Sequence, residues 1–158
     1  MNQHYGRLTC LNGHVITHYL GAGFESTSSY CAKCGAQTIT KCPACEVPQR
    51  GAYVDGAIAA GSGPDAYCWN CGKPYPWTER HLRAATEMVM EEEHLSDEDK
   101  ATLTASLPDL TSDTPQTTLA ATRFKRIAAK AGRGLGEALY KTLVDVISET
   151  AKKTILGN

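Results

Sequence analysis

The apolar positions of the chain change period near its middle. Up to about residue 77, short β-branched and aromatic runs alternate with polar residues; beyond it, apolar residues recur at three- and four-residue spacing. Gly6 to Ile16 reads as a first strand that enters a turn at Cys10 and leaves through Val15 and Ile16, with a return strand reaching Tyr30. AQTIT, Ala36 to Thr40, alternates like a strand, and a further short strand is expected around Tyr53 and Val54. GAGFESTSS, Gly21 to Ser29, is small and polar and reads as a hairpin loop, and AIAAGSGPD, Ala57 to Asp65, reads as a small-residue loop.

The second half predicts helices. Thr78 is placed to cap the first, Glu79 favours its first turn, and Leu82, Ala85, Met88 and Val89 form its apolar face. A second helix should start at Ser96, with Asp99 at the capping-box position, and stop before Pro108. DLTSDTPQTT then reads as a linker, and Thr114 followed by Pro115 as a helix start. From there Leu119, Phe124, Ile127, Ala128, Ala131, Leu135, Leu139, Leu143, Val146, Ile147 and Ile155 keep a helical period over about 40 residues, roughly 60 Å at 1.5 Å per residue. Gly132, Gly134 and Gly136 offer the alternative of two helices that fold back, each glycine costing about 1 kcal/mol relative to alanine. On either reading an apolar stripe is left uncovered, and self-association is the simplest cover.

Candidate chemistry is concentrated between Cys10 and Cys71. Four tight ligand pairs stand there: Cys10/His14 in CLNGH, Cys31/Cys34 in CAKC, Cys42/Cys45 in CPAC and Cys68/Cys71 in CWNC. Two thiolates separated by two residues point the same way from one turn, so a pair can hold half of a tetrahedral zinc and backbone amides can support the sulfurs. The chain has seven cysteines, all within this stretch; with His14 they make eight ligands, enough for two zinc ions per chain with none left over. A disulfide framework fits poorly, because the cysteine number is odd and cysteines two apart rarely bridge well. An iron–sulfur site is the minor competitor. Sequential pairing puts Cys10, His14, Cys31 and Cys34 on one ion and Cys42, Cys45, Cys68 and Cys71 on the other. Cross-brace pairing, and a site shared by the two middle pairs, remain open alternatives. Gly35 and Gly72 suit the left-handed turn that closes a knuckle.

Composition sharpens the division. Both tryptophans, all the cysteines and six of seven tyrosines fall in the first 78 residues, a core thin enough to need metal. Residues 1–78 carry five Lys/Arg against four Asp/Glu, residues 79–113 three against ten, and residues 114–158 eight against three. The acidic middle and basic end are suited to attract each other, within the chain or between copies. The expected organisation is therefore a small α+β protein: a tandem zinc-ribbon domain of short antiparallel hairpins at 1–77, an acidic helical connector at 78–113, and an amphipathic helical oligomerisation segment at 114–158. Met1 is followed by polar residues and no apolar stretch reaches about 18, so a cytoplasmic protein with reduced thiols is expected.

The runs CLNGHVI, YCAKCGAQTITKCPAC, RGAY and YCWNCGKPYPWTE resemble an uncharacterised bacterial family of short tandem zinc-ribbon proteins, over about residues 8–80. Glu46 and Gln49 depart from the pattern without touching a ligand. More loosely, the architecture resembles zinc-finger ribonucleases of bacterial phage defence, and that resemblance implies an effector activated by assembly with a viral protein.

Four protein ligands per site mark both zincs as structural; an open, catalytic position would exist only if His14 did not bind. Nucleic-acid contacts are expected from Arg50, Trp69, Lys73, Trp77, Arg80 and Arg83, with Tyr53 and Tyr75 nearby in sequence, because aromatic faces stack unpaired bases while cations hold phosphates. Equally, Trp77 and Tyr75 can seal the ribbon core. His81 is the candidate general acid or base. No nucleophile elbow or phosphate-binding glycine loop is visible. The basic stretch from Thr122 to Leu143 has cations opposite an apolar face, but its alanines and glycines suit helix packing better than a membrane surface. The expected function is a homo-oligomeric zinc module that binds RNA or a protein partner, with an assembly-activated ribonuclease or a non-catalytic scaffold as alternatives.

Overall fold

A computed structural model describes residues 3–23, 27–55, 57–58, 61 and 63–158 of the chain. Parts of both expected loops, residues 24–26 and residues 59, 60 and 62, lie outside the described residues. The chain divides into two compact units, Met1–Trp77 and Thr78–Asn158. The α+β class expected from the sequence is the class observed, with antiparallel hairpins first and helices after.

In the first unit, β1 (Gln3–Cys10) is the central strand. It pairs antiparallel with β2 (Val15–Leu20) on one side and with β4 (Arg50–Asp55) on the other, and its end also pairs with β3 (Thr38–Ile39). β5 (Ala57–Ile58) adds an edge to β4, so the order is β2-β1-β4-β5. The expected return strand to Tyr30 ends instead at Leu20, and Tyr30 forms a single bridge to Gln37. Small residues on β4 allow close strand approach: a Cβ on Gly51 would run into the carbonyl oxygens of His18 and Gly6. The register shifts between Gly6 and Leu8 and between Leu8 and Thr9 bend β1 so that Cys10 reaches the end of the sheet beside Thr38.

The helices of the second unit begin where α1 (Pro76–Glu91) crosses the boundary. Its proline occupies the first turn, where the missing donor costs nothing, so the helix starts two residues before the expected cap at Thr78, which is buried inside the first turn. Of the expected apolar face, Ala85 and Val89 are buried and Leu82 is half-buried, whereas Met88 is exposed. α2 (Asp97–Ser106) starts as read: Ser96 is the N-cap, its Oγ accepting from Asp99 N–H at 3.1 Å. α3 (Thr117–Lys130) begins after the turn at Thr114–Gln116, two residues beyond Pro115.

The continuous 40-residue helical period resolves into three helices, α3, α4 (Arg133–Leu143) and α5 (Glu149–Leu156). Gly132, at φ 93°, makes the first break, while Gly134 and Gly136 continue inside α4. Ser148 makes the second, capping α5 through its Oγ on Ala151 N–H, while its own N–H donates to Leu110 O at 2.8 Å. Folding back buries Phe124, Ile127, Leu135, Leu139, Leu143, Val146 and Ile147 together with Leu103, Leu107 and Leu110 of the same unit. The stripe expected to remain uncovered is therefore largely consumed within the unit; Leu119 stays exposed, and Ala131 and Ile155 are half-buried. No helix among the described residues is long and apolar enough to cross a membrane.

Candidate metal centres

The three Cys-x-x-Cys segments share one backbone turn. In each, the first cysteine's N–H donates to the carbonyl five residues on, and the N–H four residues on returns to that cysteine's carbonyl. The pairs are Cys31 to Ala36 and Gly35 to Cys31, both 2.8 Å; Cys42 to Val47, 2.9 Å, and Glu46 to Cys42, 2.8 Å; Cys68 to Lys73, 2.8 Å, and Gly72 to Cys68, 2.9 Å. Bridges Tyr30–Gln37, Lys41–Pro48 and Tyr67–Pro74 close the turns. The residue after the second cysteine is left-handed in all three: Gly35 at φ 72°, Glu46 at 61° and Gly72 at 72°. Glu46 is the positive-φ residue other than glycine among the described residues. The first pair uses a related turn, with Gly13 N–H on Cys10 O at 2.9 Å and Cys10 N–H on His14 O at 3.0 Å.

Strand pairing decides which turns meet. β3 leaves the Cys31/Cys34 turn and pairs with the end of β1, Cys10 opposite Thr38, while Leu11 N–H donates to Gln37 O at 3.0 Å. That registers the second turn against the first. Cys10, His14, Cys31 and Cys34 form one cluster and Cys42, Cys45, Cys68 and Cys71 the other, with the four ligand atoms of each within 4.8 Å of one another. Of the three pairings open from the sequence, the sequential one is observed.

The separations match tetrahedral coordination. Metal–sulfur bonds of about 2.3 Å and metal–nitrogen bonds of about 2.1 Å require ligand edges of about 3.8 Å between sulfurs and about 3.6 Å between sulfur and nitrogen. Cys10 and Cys34 sulfurs are 3.7 Å apart, and His14 Nδ1 lies 3.6 Å from the sulfurs of both Cys10 and Cys31. In the second cluster Cys42 and Cys71 are 3.8 Å apart and Cys45 and Cys68 3.7 Å. Such distances are far beyond the roughly 2.05 Å of a disulfide. Each donor set can hold one ion, which in the first cluster would be bound by three cysteine sulfurs and the Nδ1 of His14 and in the second by four cysteine sulfurs.

Two residues that the sequence reading did not single out support the sulfurs. Asn12 Nδ2 donates to Cys34 Sγ at 3.3 Å and Asn70 Nδ2 to Cys45 Sγ at 3.6 Å, each reaching from one turn to a cysteine of the opposite turn. The signal was present: both stand two residues after the first ligand of their pair. The Ala36 backbone amide first, and then Asn12, hold the Cys34 thiol down to about 6, so it is ready as a thiolate near neutral pH.

A family profile described as "Uncharacterized protein conserved in bacteria (DUF2321)" matches residues 4–155. The chain belongs to this family. No curated protein and no solved structure matches it. In this DUF2321 chain the match spans both the metal clusters and the helical unit, so the helices are part of what defines the family.

The remaining candidate residues separate. Arg50 and Trp69 come together: the guanidinium lies 3.8 Å over the indole, and Trp69 Nε1 donates to Pro48 O at 3.1 Å. Trp69 is 46% exposed, and Lys73, whose carbonyl closes the same turn, is exposed as well. Trp77, expected among the nucleic-acid contacts, is fully buried: it stacks on buried Tyr75 at 4.5 Å and 16°, and its Nε1 donates to Asp65 O at 2.9 Å. It has no face to offer a base, and its other expected role, sealing the ribbon core, is the one it fills. Arg80 and Arg83 are exposed on α1 in the second unit. His81, the candidate acid or base, is half-buried with Nδ1 on the carbonyl of Thr142, a contact within the helical unit.

Proposed function

We propose that this chain is a zinc-dependent protein that binds single-stranded RNA, with both metal sites structural. Zinc suits the donor sets, three thiolates with an imidazole and four thiolates, because it takes either in a closed tetrahedron without redox chemistry. With four protein ligands at each ion, the metal's work is to fix the turns.

The observation that carries the reading is the Arg50–Trp69 stack. Trp69 lies between Cys68 and Cys71, so the metal-bound turn fixes the backbone that presents the indole, and the bond to Pro48 O orients it. An exposed indole covered by a guanidinium offers a planar cation to a base and a charge to a phosphate in one place. Base–aromatic stacking contributes about 1–3 kcal/mol per base, so loss of Trp69 should weaken binding about tenfold or more. Lys73 adds charge on the same turn, whereas Trp77 is excluded by burial.

The test is fluorescence anisotropy of a labelled single-stranded RNA with the zinc-loaded full chain, alongside native mass spectrometry. Two zincs per chain, with RNA binding lost in Trp69→Ala and Arg50→Ala at unchanged zinc content, supports the reading. Metal-loaded protein that ignores RNA but captures a protein partner through Trp69 overturns it in favour of a protein-recognition module. The same mass spectra report whether copies associate.

A further inference from the structure

The fold of the first unit brings a second cation near Arg50, from a strand 43 residues earlier in the chain. Arg7 is 2% exposed, on the central strand. Its Nη2 donates to Asp65 Oδ2 at 2.9 Å, its Nε to Gln49 Oε1 at 3.4 Å and its Nη1 to Gly63 O at 3.5 Å. The pair is lopsided: the Arg7 side chain is 3% exposed and that of Asp65 52%. Water reaches the carboxylate and weakens its hold on the guanidinium, which has lost its own hydration.

A cavity of about 350 Å³ adjoins this pair, lined by His4, Arg7, Arg50, Asp65, Tyr67 and Trp69. A neighbouring cavity of about 380 Å³ shares His4, Arg50 and Trp69 and extends to Val47 and Pro48. Each is within the roughly 300–1,000 Å³ range of small-molecule sites. The first cavity has two guanidiniums against one carboxylate, an excess of one positive charge. Such a recess focuses positive potential and draws anions. The Arg50–Trp69 stack stands where the two cavities meet, so an anion entering the first has a planar stacking surface beside it.

We infer that the cavity walled by Arg7 and Arg50 is a phosphate pocket for one nucleotide of the bound strand, with its base stacked at Arg50 and Trp69. The inference rests on the RNA-binding reading and names the group recognised. Asp65 acts as the pocket's counterweight: it neutralises part of Arg7 and so limits the attraction for phosphate. Its removal is therefore expected to strengthen binding, the opposite of what loss of a purely structural ion pair does.

The experiment displaces labelled single-stranded RNA from the zinc-loaded full chain with adenosine 5′-monophosphate or with adenosine, and repeats the titration with Asp65→Asn. Adenosine monophosphate is expected to compete at least about tenfold better than adenosine. Asp65→Asn is expected to bind the strand several-fold tighter, with a salt dependence steeper by about 0.7 in log–log slope, the value of one further phosphate contact on a single strand. Equal competition by the two compounds overturns the pocket, and needs no variant to fold. So does an Asp65→Asn protein with full zinc content whose affinity is unchanged or lower. In both cases the RNA reading stands if Trp69→Ala still loses the strand. Failure of the unaltered protein to bind RNA removes the parent reading and the pocket with it.

Discussion

Gly13 lies directly on the indole of Trp77. A Cβ built on the glycine would sit 3.0 Å from Trp77 Cβ and 3.2 Å from Cγ, and the glycine's φ of 91° is itself unfavourable for any side chain. The turn between Cys10 and His14 is thus shaped by the tryptophan beneath it. Gly35 provides the contrast, with φ 72° and open space where its Cβ would go.

Gly13→Ala is therefore expected to cost more than Gly35→Ala. Backbone strain of about 1–2 kcal/mol applies to both, and crowding against Trp77 adds about 1–3 kcal/mol to the first alone. Denaturant unfolding of the zinc-saturated variants checks this. Equal losses would mean that the indole yields freely and does not shape the turn.

Glu46 occupies the position that Gly35 and Gly72 hold in the other two turns, at the same left-handed geometry. Glu46→Gly should relieve strain while adding unfolded-chain entropy, for a net gain of a few tenths to about 1 kcal/mol. The readout is resistance of the Cys42, Cys45, Cys68 and Cys71 site to a competing chelator. A faster loss of metal would show that the glutamate side chain contributes more than its backbone costs.

Chelation should separate the two units. No residue of the metal clusters belongs to 78–158, and the helical unit has its own core, including Leu103, Leu110, Ile127 and Leu139. Both tryptophans lie in the first unit, so their fluorescence reports on it. Metal removal is expected to shift tryptophan emission to that of exposed indole while most of the helical circular-dichroism signal survives. Simultaneous loss of both signals would mean that the helices depend on the metal-bound unit.

Asp99 and Lys130 connect the acidic segment to the basic one inside the helical unit, at 2.8 Å. The Lys130 ammonium holds the Asp99 carboxyl below its usual 3.8. A lowered pKa in the folded state favours the ionised form, so this contact supports the fold above about pH 3.8 and is lost as pH falls through the lowered value. Carboxyl NMR titration should find Asp99 below 3.8 and return it upward in Lys130→Met. An unmoved Asp99 in that variant would assign the shift to the Ser96 cap instead.

The metal ligands were legible because the information is local. A cysteine pair two residues apart closes its own turn, and seven cysteines with one histidine complete two tetrahedra without reference to distant chain. Ser96 was legible for the same reason, since a cap acts on N–H groups three residues away. The α+β division followed from the change of period near residue 77.

Tertiary structure alone decided the rest. The pairing of ligand turns depends on β3 docking at the end of β1, a contact between residues far apart in sequence. Burial of Trp77, and exposure of Trp69 beneath Arg50, could not be told apart by residue type, because an aromatic ring serves a core or a surface equally well. A periodic apolar run specifies helix but not whether its stripe meets another copy or its own chain, and here breaks at Gly132 and Ser148 fold it onto itself. Arg7 has no signal in its sequence neighbourhood; the fold buries it and sets the half-exposed carboxylate of Asp65 against it, beside a cavity that Arg50 also lines.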